Sequence, residues 1–132
     1  MSSSRLTVRL RSVVLDCPDP TALALFYAGL LGGRADTADR EWCEVFLGEA
    51  SVKLAFQRVD LYLAPQWPDG VPQQVHLDLT VSELDVANAR AVALGAAVLT
   101  GPVEEGGGAF IVHADPAGHP FCLFAERPDP RP

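Results

Sequence analysis

The residues best placed to do chemistry lie on short segments that alternate polar and apolar side chains. His76-Leu-Asp-Leu-Thr-Val81 carries an imidazole, a carboxylate and a hydroxyl at every second position. In an extended strand His76, Asp78 and Thr80 therefore share one face, and Leu77, Leu79 and Val81 share the other. Histidine suits general-base work near neutral pH and is also a common metal ligand. Phe121-Cys-Leu-Phe-Ala-Glu126 alternates in the same way, with Cys122, Phe124 and Glu126 on one face. Nearer the N-terminus, Ser12, Val14 and Asp16 oppose Val13, Leu15 and Cys17, and hairpin position makes Lys53, Ala55 and Gln57 the counterparts of Cys122, Phe124 and Glu126. A Cys122 thiol made acidic by Lys53 would be a nucleophile. A packed strand cysteine is the ordinary alternative.

The elements that position these residues occur twice. Ser12-Val-Val-Leu-Asp-Cys-Pro-Asp19, followed by an apolar run to Leu31-Gly32, is answered by His76-Leu-Asp-Leu-Thr-Val-Ser-Glu83 and a run to Leu94-Gly95, 64 residues later. In the first copy Asp19 is an N-cap with Pro20 at the first helical position. Leu23, Phe26, Tyr27 and Leu30 give one apolar helix face, and Gly32 closes the helix. Strands are expected over 7–17, 40–47 and 51–59, with a hairpin turn at Gly48-Glu-Ala-Ser51. In the second copy a strand over 75–81 leads to Ser82-Glu-Leu-Asp85, a capping-box variant. Leu84, Ala87, Ala91 and Leu94 form that helix's buried stripe. Strands follow over 97–100, 109–114 and 121–126. Glu104-Glu-Gly-Gly-Gly108 reads as a hairpin tip and not as a phosphate loop, since it lacks a lysine and a following helix. In Asp115-Pro-Ala-Gly-His-Pro120, Asp115 is expected to cap backbone N–H groups and Gly118 to take a positive φ. His113 and His119 read as structural or exposed. The proline-rich stretch 60–74 joins the copies, with Trp67 either covering a ligand or anchoring the linker.

The expected architecture is α+β: two βαβββ modules forming a curved mixed sheet around a cup, with helices on the convex face. Residues 1–132 make one domain, with module one at about 6–59, the linker at 60–74 and module two at about 75–126. Hydrophobic residues make up 48% of the chain, enough for a core. A formal charge of −7 disfavours nucleic acid, which needs clustered Lys and Arg, while suiting solubility or a cationic ligand. No apolar run is long enough for a membrane span, and Met1-Ser-Ser-Ser-Arg5 shows no signal-peptide core, so a cytoplasmic protein is expected. Cys17, Cys43 and Cys122 are odd in number and lack CxxC spacing, which argues against a disulfide framework.

Asp19-Pro with Phe26-Tyr27 and Leu30-Leu-Gly32, His76-Leu-Asp-Leu79, Leu94-Gly-Ala96 and Asp115-Pro-Ala-Gly118, in this order on a repeated frame, resemble the vicinal oxygen chelate superfamily. That superfamily contains glyoxalase I, bleomycin-resistance proteins and extradiol dioxygenases. The likeness spans roughly residues 6–126 and is nearest to small glyoxalase-like domains of actinobacterial type. It implies a small-molecule cup and a homodimer. Metal-dependent members place ligands, typically His or Gln, and Glu, on the first and last strands of each module. Carried over, these positions are Ser12, Lys53, His76 and Cys122, of which His76 alone is an ordinary match. No cofactor is therefore expected, and a divalent metal, if bound, would use His76 with Glu126 or Asp78. The expected ligand is a small organic molecule facing Ser12, Asp16, Lys53, Gln57, Trp67, His76, Asp78, Cys122, Phe124 and Glu126, with Tyr62 as a further linker group. The alternatives are a metal-dependent lyase, isomerase or dioxygenase using His76, a metal-free enzyme with His76 as base, and a module without any ligand.

Overall fold

Strand and helix signals alternate along the chain, and a computed structural model follows them, describing residues 6–48, 52–105 and 108–126, with the side chains of Glu105 and Glu126 outside the description. Module one runs β1 (Ser12–Cys17), α1 (Pro20–Leu31), β2 (Arg34–Asp36), β3 (Trp42–Phe46) and β4 (Lys53–Arg58). Module two runs β5 (Leu77–Val81), α2 (Leu84–Leu94), β6 (Ala97–Glu105), β7 (Gly108–Ala114) and β8 (Pro120–Glu126). Each module folds into its own four-stranded mixed sheet, ordered β1-β4-β3-β2 and β5-β8-β7-β6. The first and last strands of each module are parallel, and the remaining pairs are antiparallel.

The helix signals act as their chemistry requires. Asp19 Oδ1 accepts from the Ala22 N–H at 3.2 Å and Pro20 opens α1. Gly32 ends α1 at φ 74°, a left-handed conformation that costs glycine nothing. Leu23, Phe26 and Tyr27 are buried under α1, with Leu30 half-buried. The second helix departs from expectation. Its N-cap is Glu83 and not Ser82, and no side chain satisfies the cap. Ala91 is its one buried residue, and Leu94 remains 38% exposed although its side chain lies against Gly29 of α1, where an added Cβ would stand 3.1 Å from it. The sequence also gave no separate signal for β2, a three-residue strand that lies against β3. The first strand begins at Ser12, since Leu6, Val8 and Leu10 are exposed and outside any element. Residues 49–51 of the first hairpin turn and 106–107 of the second lie outside the described residues, though the strands around them pair as hairpins.

The apolar faces predicted by alternation meet in one core. Leu15, Cys17, Leu54 and Phe56 from the first sheet and Phe121 and Leu123 from the second join Leu23, Phe26, Tyr27 and Ala91. Tyr27 stacks on Phe56 at 5.7 Å between centroids and meets Phe121 edge-on at 6.2 Å, so α1 contacts both sheets. Its hydroxyl donates to Asp115 Oδ2 at 2.6 Å, a buried bond across 88 residues of sequence. The polar sets of both sheets face away from this core.

Candidate functional site

The pairing register decides which polar residues meet. In module one Ser12 lies opposite Lys53 and Asp16 opposite Gln57. In module two Asp78 lies opposite Cys122 and Thr80 opposite Phe124. Because Cys17 pairs with Arg58 and Val81 with Ala125, the module-one counterpart of Cys122 is Ala55 and not Lys53. The hairpin count placed Lys53 two residues off. The face is unchanged, because a two-residue shift preserves the alternation.

Each polar face is satisfied within its own module. Lys53 Nζ pairs with Glu44 Oε2 at 3.1 Å, with both side chains largely covered, and stands 5.2 Å from the Phe46 ring centroid. The Arg34 guanidinium covers the same ring at 4.4 Å. The Trp42 indole N–H also donates to Glu44 Oε2, at 3.0 Å. The Trp42 bond, followed by Lys53, holds the Glu44 carboxyl below its ordinary range. Lys53 is thus committed to Glu44, which the sequence reading missed. The signal was there: Trp42, Glu44 and Phe46 alternate along β3 onto the face that carries Lys53.

On the second polar face His76 Nε2 stands 3.4 Å from Asp78 Oδ1, and both residues are about half exposed. The Cys122 thiol is pushed up to about 11 by burial and by the neighbouring Asp78 carboxylate. This corrects the expectation of a thiol made acidic by Lys53. Asp78 holds the proton on sulfur, so Cys122 is a poor nucleophile near neutral pH. Phe124 stacks obliquely on Phe110 at 5.2 Å, giving this face an aromatic patch. Among the described residues, no three or more His, Cys, Asp or Glu side chains are gathered closely enough to hold a metal ion. Glu126 closes β8, but its side chain lies outside the described residues. Ser12 is half-buried, Gln57 exposed and Trp67 half-buried in the linker.

A second polar cluster was not anticipated. The Asp115 carboxylate accepts from the Ala117 N–H at 2.9 Å and the His119 N–H at 3.0 Å, the capping expected of this turn. Gly118 takes φ 94°. Asp115 Oδ2 also faces His119 Nδ1 at 2.9 Å, so that nitrogen carries a proton. His119 Nε2 lies 2.8 Å from the Asp16 carbonyl oxygen and 3.2 Å from the Tyr62 hydroxyl. Asp115, His119, Asp16 and Tyr62 thus connect the last hairpin, β1 and the linker. The histidine read as structural is the joint between them. Beside it lies a cavity of about 190 Å³ with walls that include Val14, Asp16, Tyr62, Pro65, Pro72 and His119. His113 is buried, its Nε2–H donates to Asn88 Oδ1 at 2.8 Å, and its ring stacks on Phe121 at 5.1 Å, so its role is packing.

Residues 12–124 match the family described as the glyoxalase-like domain. The chain belongs to the glyoxalase-like domain family. Solved structures share the fold of this glyoxalase-like domain at low identity. A glyoxalase/bleomycin resistance protein/dioxygenase family enzyme from Burkholderia phytofirmans PsJN is 20% identical with a TM-score of 0.73, over 90% of this chain and 99% of that one. An antibiotic-binding protein from Streptomyces sp. CB03234 is 22% identical with a TM-score of 0.63, over 93% and 99%. A fosfomycin resistance protein from Mesorhizobium loti is 16% identical with a TM-score of 0.65, over 92% and 93%. No curated protein matches the chain. These neighbours establish the vicinal oxygen chelate fold. No helix of the described residues is long and apolar enough to cross a membrane.

Proposed function

We propose that this glyoxalase-like domain is a cytoplasmic homodimer that binds a small organic molecule on the polar faces of its two sheets, without the metal of a glyoxalase. The observation that carries this reading is the chemistry of the four positions where metal-dependent relatives hold their ligands. Ser12 is a weak donor. Lys53 is a cation paired with Glu44, and its register-corrected alternative, Ala55, has no donor at all. Cys122 keeps its proton under burial and Asp78, whereas a metal-bound cysteine must lose it. His76 is left as one good ligand where a catalytic site wants about three. What remains suits binding: Phe110 and Phe124 supply aromatic surface and His76, Asp78 and Gln57 supply polar anchors. The fold likeness to an antibiotic-binding protein supports the same reading.

The His76–Asp78 pair favours a second reading, in which a carboxylate beside an imidazole serves proton transfer. A metal-dependent lyase, isomerase or dioxygenase using His76 is the variant of it that the family contains. One preparation tests both. Elemental analysis after dialysis is expected to find no stoichiometric Zn, Ni, Fe or Mn, and a panel of aromatic natural products is expected to contain compounds that raise the melting temperature at saturation. A bound metal at one equivalent, or turnover lost in His76→Ala, would replace the binding reading with the enzymatic one. A panel without any stabilising compound would remove the binding reading.

A further inference from the structure

We propose that the cavity between β1 and the linker is a recognition pocket for a compact organic amine, seated on the Asp16 carboxylate against an apolar wall. The pocket lies on the polar face of β1, where Val14 and Asp16 point together, so this proposal rests on the binding reading above and names the chemistry of a ligand at that end of the site. Asp16 supplies a carboxylate, and no lysine or arginine stands among the lining residues. The His119 imidazole does not offset this charge. Its Nδ1 is taken by the Asp115 carboxylate at 2.9 Å and its Nε2 faces the Asp16 carbonyl at 2.8 Å, so any positive charge on the ring is matched by Asp115. Burial, then Asp115, Cys17 and Asp16, push the Tyr62 phenol up to about 12, so it stays neutral. A carboxylate beside an electron-rich ring is the pairing an ammonium group favours, through an ion pair and a cation–π contact.

The rest of the wall takes the hydrocarbon body. Val14, Leu63, Pro65, Pro72 and Val75 line it. The volume of about 190 Å³ lies below the roughly 300 Å³ at which drug-sized pockets begin, so the occupant is compact. The linker is shaped to form this wall. The Gln66 N–H donates to the Val71 carbonyl at 2.6 Å and Gln66 Oε1 accepts from the Val71 N–H at 2.9 Å, which closes the linker on itself. Ala64 then sits on Gly118, where a Cβ would stand 2.9 Å away. The overall charge of −7 also draws a cation toward the molecule.

The experiment titrates the full chain with benzylamine and, separately, with benzyl alcohol, an uncharged molecule of nearly the same shape. Benzylamine is expected to bind at least about tenfold tighter than the alcohol. Asp16→Asn is expected to erase that preference while leaving alcohol binding unchanged. Val14→Trp, at a position 40% exposed in the wild type, fills the cavity and is expected to abolish both interactions while circular dichroism stays native. Equal affinity for the two probes, an amine preference that survives Asp16→Asn, binding that survives Val14→Trp, or no binding of either probe would each overturn the proposal. An aromatic natural product that still binds through His76 and Phe124 after such a failure leaves the function proposed above standing.

Discussion

Replacing Tyr27 by Phe removes one hydroxyl and leaves the packing around it. The ring still stacks on Phe56 and meets Phe26 and Phe121 edge-on. What is lost is the 2.6 Å bond to Asp115, which ties α1 of the first module to the last hairpin of the second. A hydrogen bond to a buried charge contributes about 1.5–3 kcal/mol. Asp115, 4% exposed, keeps the Ala117 and His119 backbone donors and the His119 ring. The carboxylate is not stranded, so the cost falls near the middle of that range, about 2 kcal/mol. A domain of this size loses roughly 3–4 °C per kcal/mol, so the melting temperature should drop by roughly 6–8 °C. Concentration must be matched, because any self-association would make the midpoint concentration-dependent. Alkaline stability provides an independent check. Burial, then Asp115, raises the Tyr27 phenol well above its ordinary value. The stability tied to that proton is complete below the unfolded tyrosine value of about 10 and is lost as pH rises above it. Wild type should therefore lose stability above about pH 10 more steeply than Tyr27→Phe. In a double-mutant cycle with Asp115→Asn, the two changes should couple by at least about 1 kcal/mol. A Tyr27→Phe protein that melts within about 2 °C of wild type, or strict additivity in the cycle, would refute the view that this bond clamps the modules together.

Other consequences are open to direct measurement. Iodoacetamide at pH 7.5 should modify Cys122 more slowly than a free cysteine peptide, and Asp78→Asn should speed the reaction, as followed by intact mass; fast labelling of the wild type would restore the nucleophile reading. Burial lowers the His113 pKa below its ordinary value. The unfolded chain then binds the extra proton first, so stability should fall as pH drops below about 6.5, and His113→Met should flatten urea-midpoint profiles between pH 7 and 5. Gly118→Ala forces a side chain into φ 94° and against Ala64, and should cost about 1–3 kcal/mol while making the linker more sensitive to limited proteolysis. Lys53→Met should raise the Glu44 carboxyl pKa in a carbon-detected NMR titration, and Trp42→Phe should raise it further, because the indole bond is the larger influence.

Alternation and capping carried most of the fold. Leu77, Leu79 and Val81 do face the core and Asp78 and Thr80 do not, because a strand covered on one side admits a single phase. Asp19-Pro20 opened a helix where a cap and a rigid φ coincide. What escaped was set by partners distant in sequence. Arg34–Asp36 is too short and too polar to announce itself as a strand, and it exists because β3 offers an open edge. Ser82 carries the capping chemistry, but the helix starts one residue later, with Glu83 at the N-cap and no side-chain bond to the cap. The candidate site was legible as a set of faces and not as a set of pairs. His76, Asp78 and Cys122 were assigned to one face, and β8 does bring Cys122 opposite Asp78. The link between Lys53 and Cys122 failed because it was counted through a hairpin whose length differs between modules. The His119 joint depends on a linker fold that no local pattern encodes.

Each sheet has its own complete set of strand pairings, yet both drain into one core around Tyr27 and Phe121. The halves are therefore self-contained in their backbone bonds and interdependent in their side chains. A chain cut in the linker between Asp69 and Gly70 would yield two fragments that each bury too little alone and recover their core on meeting.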